Sequence, residues 1–125
     1  MVNNLLGNND LLLNNIVEGI LEKKGQEIVD LDLTDVQNAF CDHFIICHAD
    51  SNTQVSAIAD SVEKKVKEEL NQTAGHREGL KNAMWILLEF NGIIVHVFQK
   101  EFRDFYRLEE LWGDARILKI EESFI

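Results

Sequence analysis

The chain has 125 residues, 46% of them hydrophobic and 27% charged, and a formal net charge of −10. That length suits a single domain that can bury a core without disulfides or a metal. The acidity disfavours a direct grip on nucleic acid, which asks for a basic face, and favours a basic protein partner.

Residues 1–9 are rich in asparagine and read as a loose start without the basic stretch of a signal peptide. No apolar run along the chain reaches the ~20 residues that cross a bilayer, so no membrane is implied and the expected compartment is the cytoplasm. Asp10 is placed to cap a helix in which Leu13, Ile16, Val17 and Ile20 recur at helical spacing, and Gly25 is placed to end it. "QEIVDLDL" (26–33) alternates, with Val29, Leu31 and Leu33 on one side and Asp30 and Asp32 on the other, which predicts a strand with one wet face. "HFIICH" (43–48) predicts a second, more buried strand. Ser51 and Gln54 form a capping box ahead of a long helix, about 52–71. Val55, Ile58, Ala59, Val62, Val66 and Leu70 mark its buried face. The helix's densest basic cluster, Lys64-Lys65-x-Lys67, is flanked by Glu63, Glu68 and Glu69.

Gly75 and Gly79 bracket a loop. "MWILLEF" and "IIVHVF" then flank Asn91-Gly92, a strong hairpin signal because both residues tolerate positive φ. A last helix is expected at about 101–112, and "RILKI" (116–120) is either a short strand or part of a tail spanning 113–125. The order α-β-β-α-β-β-α, with no proline, repeat or linker, predicts a single α/β domain over 1–125. Its mixed sheet should have four or five strands with flanking helices. Strand 43–48, helix 52–71 and strand 84–90 are placed to form a right-handed crossover unit.

Catalytic and metal chemistry finds little support. "CDHFIICH" holds Cys41, His43, Cys47 and His48, but a strand would carry the two cysteines roughly 20 Å apart, too far for one zinc ion. The cysteines fit free thiols in a reducing compartment. Asp30 and Asp32 could hold magnesium, as in nucleotidyltransferases, so an enzyme of that kind is the alternative reading. The chain has no Gly-Ser pair to grip a nucleotide, and no phosphate-binding glycine loop. There is no nucleophile elbow and no His-Glu-x-x-His. No cofactor is expected.

The hairpin and the last helix carry more apolar surface than one core layer uses. If Ile86, Leu88, Val95 and Val97 face the core, Trp85, Leu87, His96 and Phe98 remain on the opposite side, which something must cover. Phe105, Leu108, Leu111 and Trp112 make one stripe of the last helix, and Phe102, Tyr106 and Glu109 a second. One stripe suffices to dock a helix. Tyr and Trp are frequent hot-spot residues of protein interfaces. Burial of both stripes in a thick core is the competing reading.

Three separated stretches, "SNTQVSAIAD" (51–60), "WILLEFNGIIVHVF" (85–98) and "RDFYRLEELWGDA" (103–115), resemble the ribosomal silencing factor family (RsfS, Iojap-related). "GQEIVDLDL" (25–33) and "DHFIIC" (42–47) stand in the expected places, so the likeness runs from about residue 10 to about 115. Two positions depart from the pattern: "CHAD" (47–50) replaces a small pair after the second strand, and Asn91-Gly92 makes the hairpin turn. The resemblance implies a nucleotidyltransferase-like α/β fold without catalytic equipment, a non-enzymatic function, and commonly a homodimer. It further implies docking on the large ribosomal subunit through ribosomal protein fourteen, which blocks joining of the small subunit and lowers translation when nutrients run short. Carried onto this chain, the contact residues would be Trp85, His96, Tyr106, Leu108, Glu109 and Trp112, with Leu87 and Phe98 added from strand alternation. Glu89, Glu101, Asp104, Glu109 and Glu110 would give the aromatic face an acidic rim suited to a basic ribosomal protein.

Overall fold

The computed structural model describes residues 8–120. In chain order the elements are α1 (Asn8–Glu22), β1 (Gln26–Asp32), β2 (His43–Ala49), α2 (Asn52–Leu70), β3 (His76–Glu78), β4 (Trp85–Phe90), β5 (Ile93–Gln99), α3 (Lys100–Tyr106), α4 (Leu108–Leu111) and β6 (Arg116–Lys119). One mixed α/β sheet orders the strands β3-β4-β5-β2-β1-β6. Among the described residues only β2 and β5 pair in parallel, and the other neighbouring pairs are antiparallel.

Strand alternation divides the interior into two layers. Ile28, Ile45, Cys47, Ile86, Leu88, Val95 and Val97 point to the side covered by α1 and α2. From the helices come Leu12, Ile16 and Ile20, and Val55, Ile58, Ala59, Val62 and Val66. The two helices approach closely at Gly19, where a Cβ would lie 2.9 Å from Val62 Cα. Beside it the Ser61 hydroxyl donates to the Gly19 carbonyl at 2.7 Å. The opposite side of the sheet carries Val29, Leu31, Phe44, Ile46, Ile94 and Phe98, packed with Leu33 and Leu108. That side is closed by α3, α4 and the β1–β2 connection.

Several local expectations hold. Ser51 caps α2 by accepting the Gln54 N–H at 3.1 Å, while the Gln54 side chain reaches to Lys23 and Lys24 carbonyls rather than back to the cap. Asn91 and Gly92 both have positive φ, at 38° and 92°, as the hairpin requires. Gly25 closes α1 through an N–H bond to Ile20 O at 3.0 Å, although the left-handed residue of that turn is Lys24.

Other expectations are corrected. Among the described residues the sheet has six strands, because "HRE" between Gly75 and Gly79 pairs with β4, and "RILK" pairs with β1 instead of lying free as a tail. The crossover from β2 through α2 returns to β5 and not to β4, since the hairpin folds β4 to the outside of β5. Asp10 lies inside the first turn of α1, which starts at Asn8; of the loose start expected at 1–9, residues 1–7 lie outside the described region. The wet face expected of β1 is largely covered, since Asp30 is only 6% exposed, and Asp32 alone of the pair stays partly open. The last helix is two pieces, broken at Arg107, which adopts left-handed φ 49°.

Candidate protein-docking face

A run of rings crosses the second side of the sheet. Phe40 meets Trp112 at 6.2 Å between ring centroids, Trp112 meets Phe44 at 5.8 Å, and Phe44 meets His96 at 4.6 Å. His96 meets Trp85 at 5.8 Å, Trp85 meets Tyr106 at 4.9 Å, and Tyr106 meets Phe105 at 5.0 Å. The middle of the run is buried and both ends are open: Phe40 is 71% exposed and Phe105 77%. Phe105 and Tyr106 share a shallow depression with Glu101 and Phe102.

The eight residues expected from the sequence fall into two groups. Trp85, Leu87 and Trp112 are partly buried, and Tyr106 is 46% exposed, so these four reach the surface. His96, Phe98 and Leu108 are buried. Phe98 stacks under Trp85 at 4.7 Å and supports it from within. The Trp85 indole N–H donates to Nδ1 of His96 at 3.0 Å. Burial pushes the His96 pKa down to about 4. Its Nε2 has no hydrogen-bond partner among the described residues, so the imidazole is a neutral, packed support for the indole.

Glu109 is half-buried and belongs to a different arrangement. Arg103, 8% exposed, spans from α3 to the sheet. Its Nη1 donates to Glu27 O at 2.7 Å and to His48 Nδ1 at 3.0 Å, and its Nη2 pairs with Glu109 at 2.8 Å. The break at Arg107 turns Leu108 into the core and brings Glu109 back to this guanidinium. Burial, and the guanidinium beside it, hold the His48 pKa below its ordinary value. His48, the departure noted in the sequence, thus helps fasten α3 and α4 to the sheet. Two further acids of the expected rim also pair within the chain, Asp104 with Lys100 at 2.9 Å and Glu110 with Arg107 at 3.3 Å, whereas Glu89 and Glu101 lie exposed.

The carboxylates of the enzymatic alternative are engaged elsewhere. Asp30 binds His43 Nδ1 at 2.8 Å, an interaction that raises the His43 pKa. Asp32 accepts from the Thr34 backbone at 2.9 Å and from Arg116 at 2.7 Å. Among the described residues, no group of three or more His, Cys, Asp or Glu is placed to hold a metal ion. Cys47 is buried on the α1/α2 side of the sheet, while Cys41 packs against the opposite layer.

Exposed Phe40, Phe105 and Leu111 were not among the eight. Phe105 and Leu111 stood out in the helical stripes, and the break at Arg107 is what leaves them outside. Phe40 lies in an irregular connection, where no periodicity marks a face.

A family model described as "Ribosomal silencing factor during starvation" matches residues 8–124. The chain is 38% identical over 113 residues to the ribosomal silencing factor RsfS of Halalkalibacterium halodurans, covering 90% of this chain and 95% of that protein. It is 36% identical over 100 residues to the RsfS of Bacillus subtilis, covering 80% and 83% respectively. A crystal structure of a Bacillus halodurans protein superposes with a TM-score of 0.74 at 33% identity, covering 90% of this chain and 98% of that one.

Proposed function

Since the chain belongs to the ribosomal silencing factor family, a family of regulators and not of enzymes, we propose that it docks on the large ribosomal subunit through ribosomal protein fourteen. There its bulk keeps the small subunit from joining and represses translation when nutrients are limiting. The mechanism needs no cofactor and no bond chemistry. A rigid domain at the joining face denies the small subunit the space it needs. The proposed setting is the cytoplasm, and a homodimer is part of the proposal.

The observation that carries this reading is the half-buried Trp85, braced from below by His96 and Phe98 and bordered by exposed Tyr106. A rigid, partly desolvated aromatic beside polar surface is the usual centre of a protein contact. The net charge of −10 suits a basic ribosomal protein and raises the rate of encounter with it. Trp85, Leu87, Tyr106 and Trp112 make direct contact in this reading. His96, Phe98 and Leu108 hold them in place, and Glu109 acts through Arg103.

The test is co-sedimentation with purified large subunits at low and moderately raised salt, followed by addition of small subunits. Binding that weakens with salt, together with a loss of joined ribosomes, is expected. Binding without any effect on joining would refute the steric block. No binding at either salt would refute the docking.

A further inference from the structure

We propose that Phe40, near the β2 end of the β1–β2 connection, is a second anchor by which this face holds a basic protein of the large subunit. The inference rests on the docking reading above and extends it to the far end of the ring run.

The connection is built rather than slack. Leu33 N–H donates to Asp42 O at 2.8 Å, Val36 N–H to Leu33 O at 3.0 Å and Ala39 N–H to Val36 O at 3.3 Å. Val36, Ala39 and Cys41 pack into the second core layer on either side of Phe40. The ring itself stays 71% exposed, edge-on to Phe44 at 6.1 Å and to Trp112 at 6.2 Å. Leu111, next to Trp112 in the chain, is 72% exposed. A fixed loop that offers an aromatic ring beside a half-buried tryptophan provides an apolar contact whose ordering cost is already met by folding.

Charge selects the occupant. The segments that carry this end of the face, 33–42 and 108–115, contain Asp35, Asp42, Glu109, Glu110 and Asp114 and no Lys, Arg or His. The neighbouring arginines are all matched by carboxylates, Arg103 by Glu109, Arg107 by Glu110, and Arg116 by Asp32 and Asp35, so acid remains in excess at this end. A phosphate backbone would be repelled here. A second copy of this chain, pairing the same patch with itself, would bring the same carboxylates together twice. A protein surface rich in Lys and Arg, with an apolar recess for the ring, fits both features.

The experiment places p-benzoylphenylalanine at position 40, where the bulk of the ring is kept, and irradiates the protein bound to purified large subunits. Wild-type protein and Phe40→Ala are titrated in parallel, with thermal unfolding of each. The expected result is an adduct to a basic protein of the large subunit, and at least tenfold weaker binding of Phe40→Ala with unchanged unfolding. An adduct to ribosomal RNA, an adduct to a second copy, no adduct on particles that do bind, or unchanged binding of Phe40→Ala would each overturn the second anchor while leaving the docking reading in place. Failure of the wild type itself to bind would remove both.

Discussion

The indole N–H of Trp85 donates to Nδ1 of His96 across the β4–β5 pair, at 3.0 Å. The bond fixes which ring nitrogen carries the proton: Nδ1 accepts, so hydrogen sits on Nε2. A second proton on Nδ1 would abolish the bond and leave a charge among Phe44, Trp85 and Phe98. The exposed half of the tryptophan therefore depends on a neutral histidine beneath it.

That dependence has a sign with pH. The folded pKa of His96, about 4, lies below the ordinary 6.5. Above pH 6.5 the ring is neutral folded and unfolded, and it contributes no pH dependence. As pH falls from 6.5 towards 4 the unfolded chain takes up the proton and the folded one does not, so stability drops by up to about 3 kcal/mol. Urea midpoints of wild type and His96→Gln should draw together over that window. Parallel curves would show that His96 is not the group responsible.

Tyr106 and Trp85 separate binding from folding. Tyr106 is 46% exposed, so Tyr106→Ala should weaken large-subunit binding by about 2 kcal/mol while leaving the unfolding midpoint nearly unchanged. Trp85 touches Phe98, His96 and Tyr106, so Trp85→Ala should cost stability as well as binding. Titration against large subunits, with a denaturation curve for each variant, distinguishes the two residues.

Arg103 is a buried cation with partners on three elements, β1, β2 and α4. Arg103→Met leaves the Glu27 carbonyl and the Glu109 carboxylate without their donor, and should destabilise the protein by about 3 kcal/mol. Glu109→Gln keeps an oxygen acceptor and should cost about 1 kcal/mol. A double-mutant cycle in urea should return a coupling between the two sites, and strict additivity would refute the direct link.

Gly19→Ala replaces a helix-interior glycine, a change that usually stabilises by about 1 kcal/mol. Here the new Cβ would stand 2.9 Å from Val62 Cα and 3.2 Å from Ser61 O. The helices would have to separate and strain the Ser61–Gly19 hydrogen bond. Net destabilisation of about 1–3 kcal/mol is expected in thermal unfolding. A stabilised variant would mean that the α1–α2 contact yields easily.

Much of the fold was legible because the hydrophobic periods here are clean. The alternation in "WILLEF" and "IIVHVF" set apart the two faces of the hairpin, and the spacing from Val55 to Val66 marked the buried side of α2. The short edge strands were legible only in part: "RILKI" stood open between strand and tail and "HRE" was read as loop, because β3 and β6 are exposed at every position and burial leaves no alternation in them. The break at Arg107 escaped as well, since arginine has no special liking for left-handed φ and helical spacing runs unbroken through it.

What the sequence determined by itself was local and periodic: an acidic α/β chain, the Asn-Gly hairpin, and a surplus of aromatic side chains on one side of it. Tertiary structure decided which of those side chains meet solvent. His96 and Phe98 lie on the same strand face as their neighbours Trp85 and Leu87, yet they are buried while the other two are partly open. Strand period assigns a residue to a face, but cover on that face comes from distant segments. Here it comes from α3 and α4, tied down by Arg103 reaching back 76 residues to Glu27, and from the β1–β2 connection that carries Phe40.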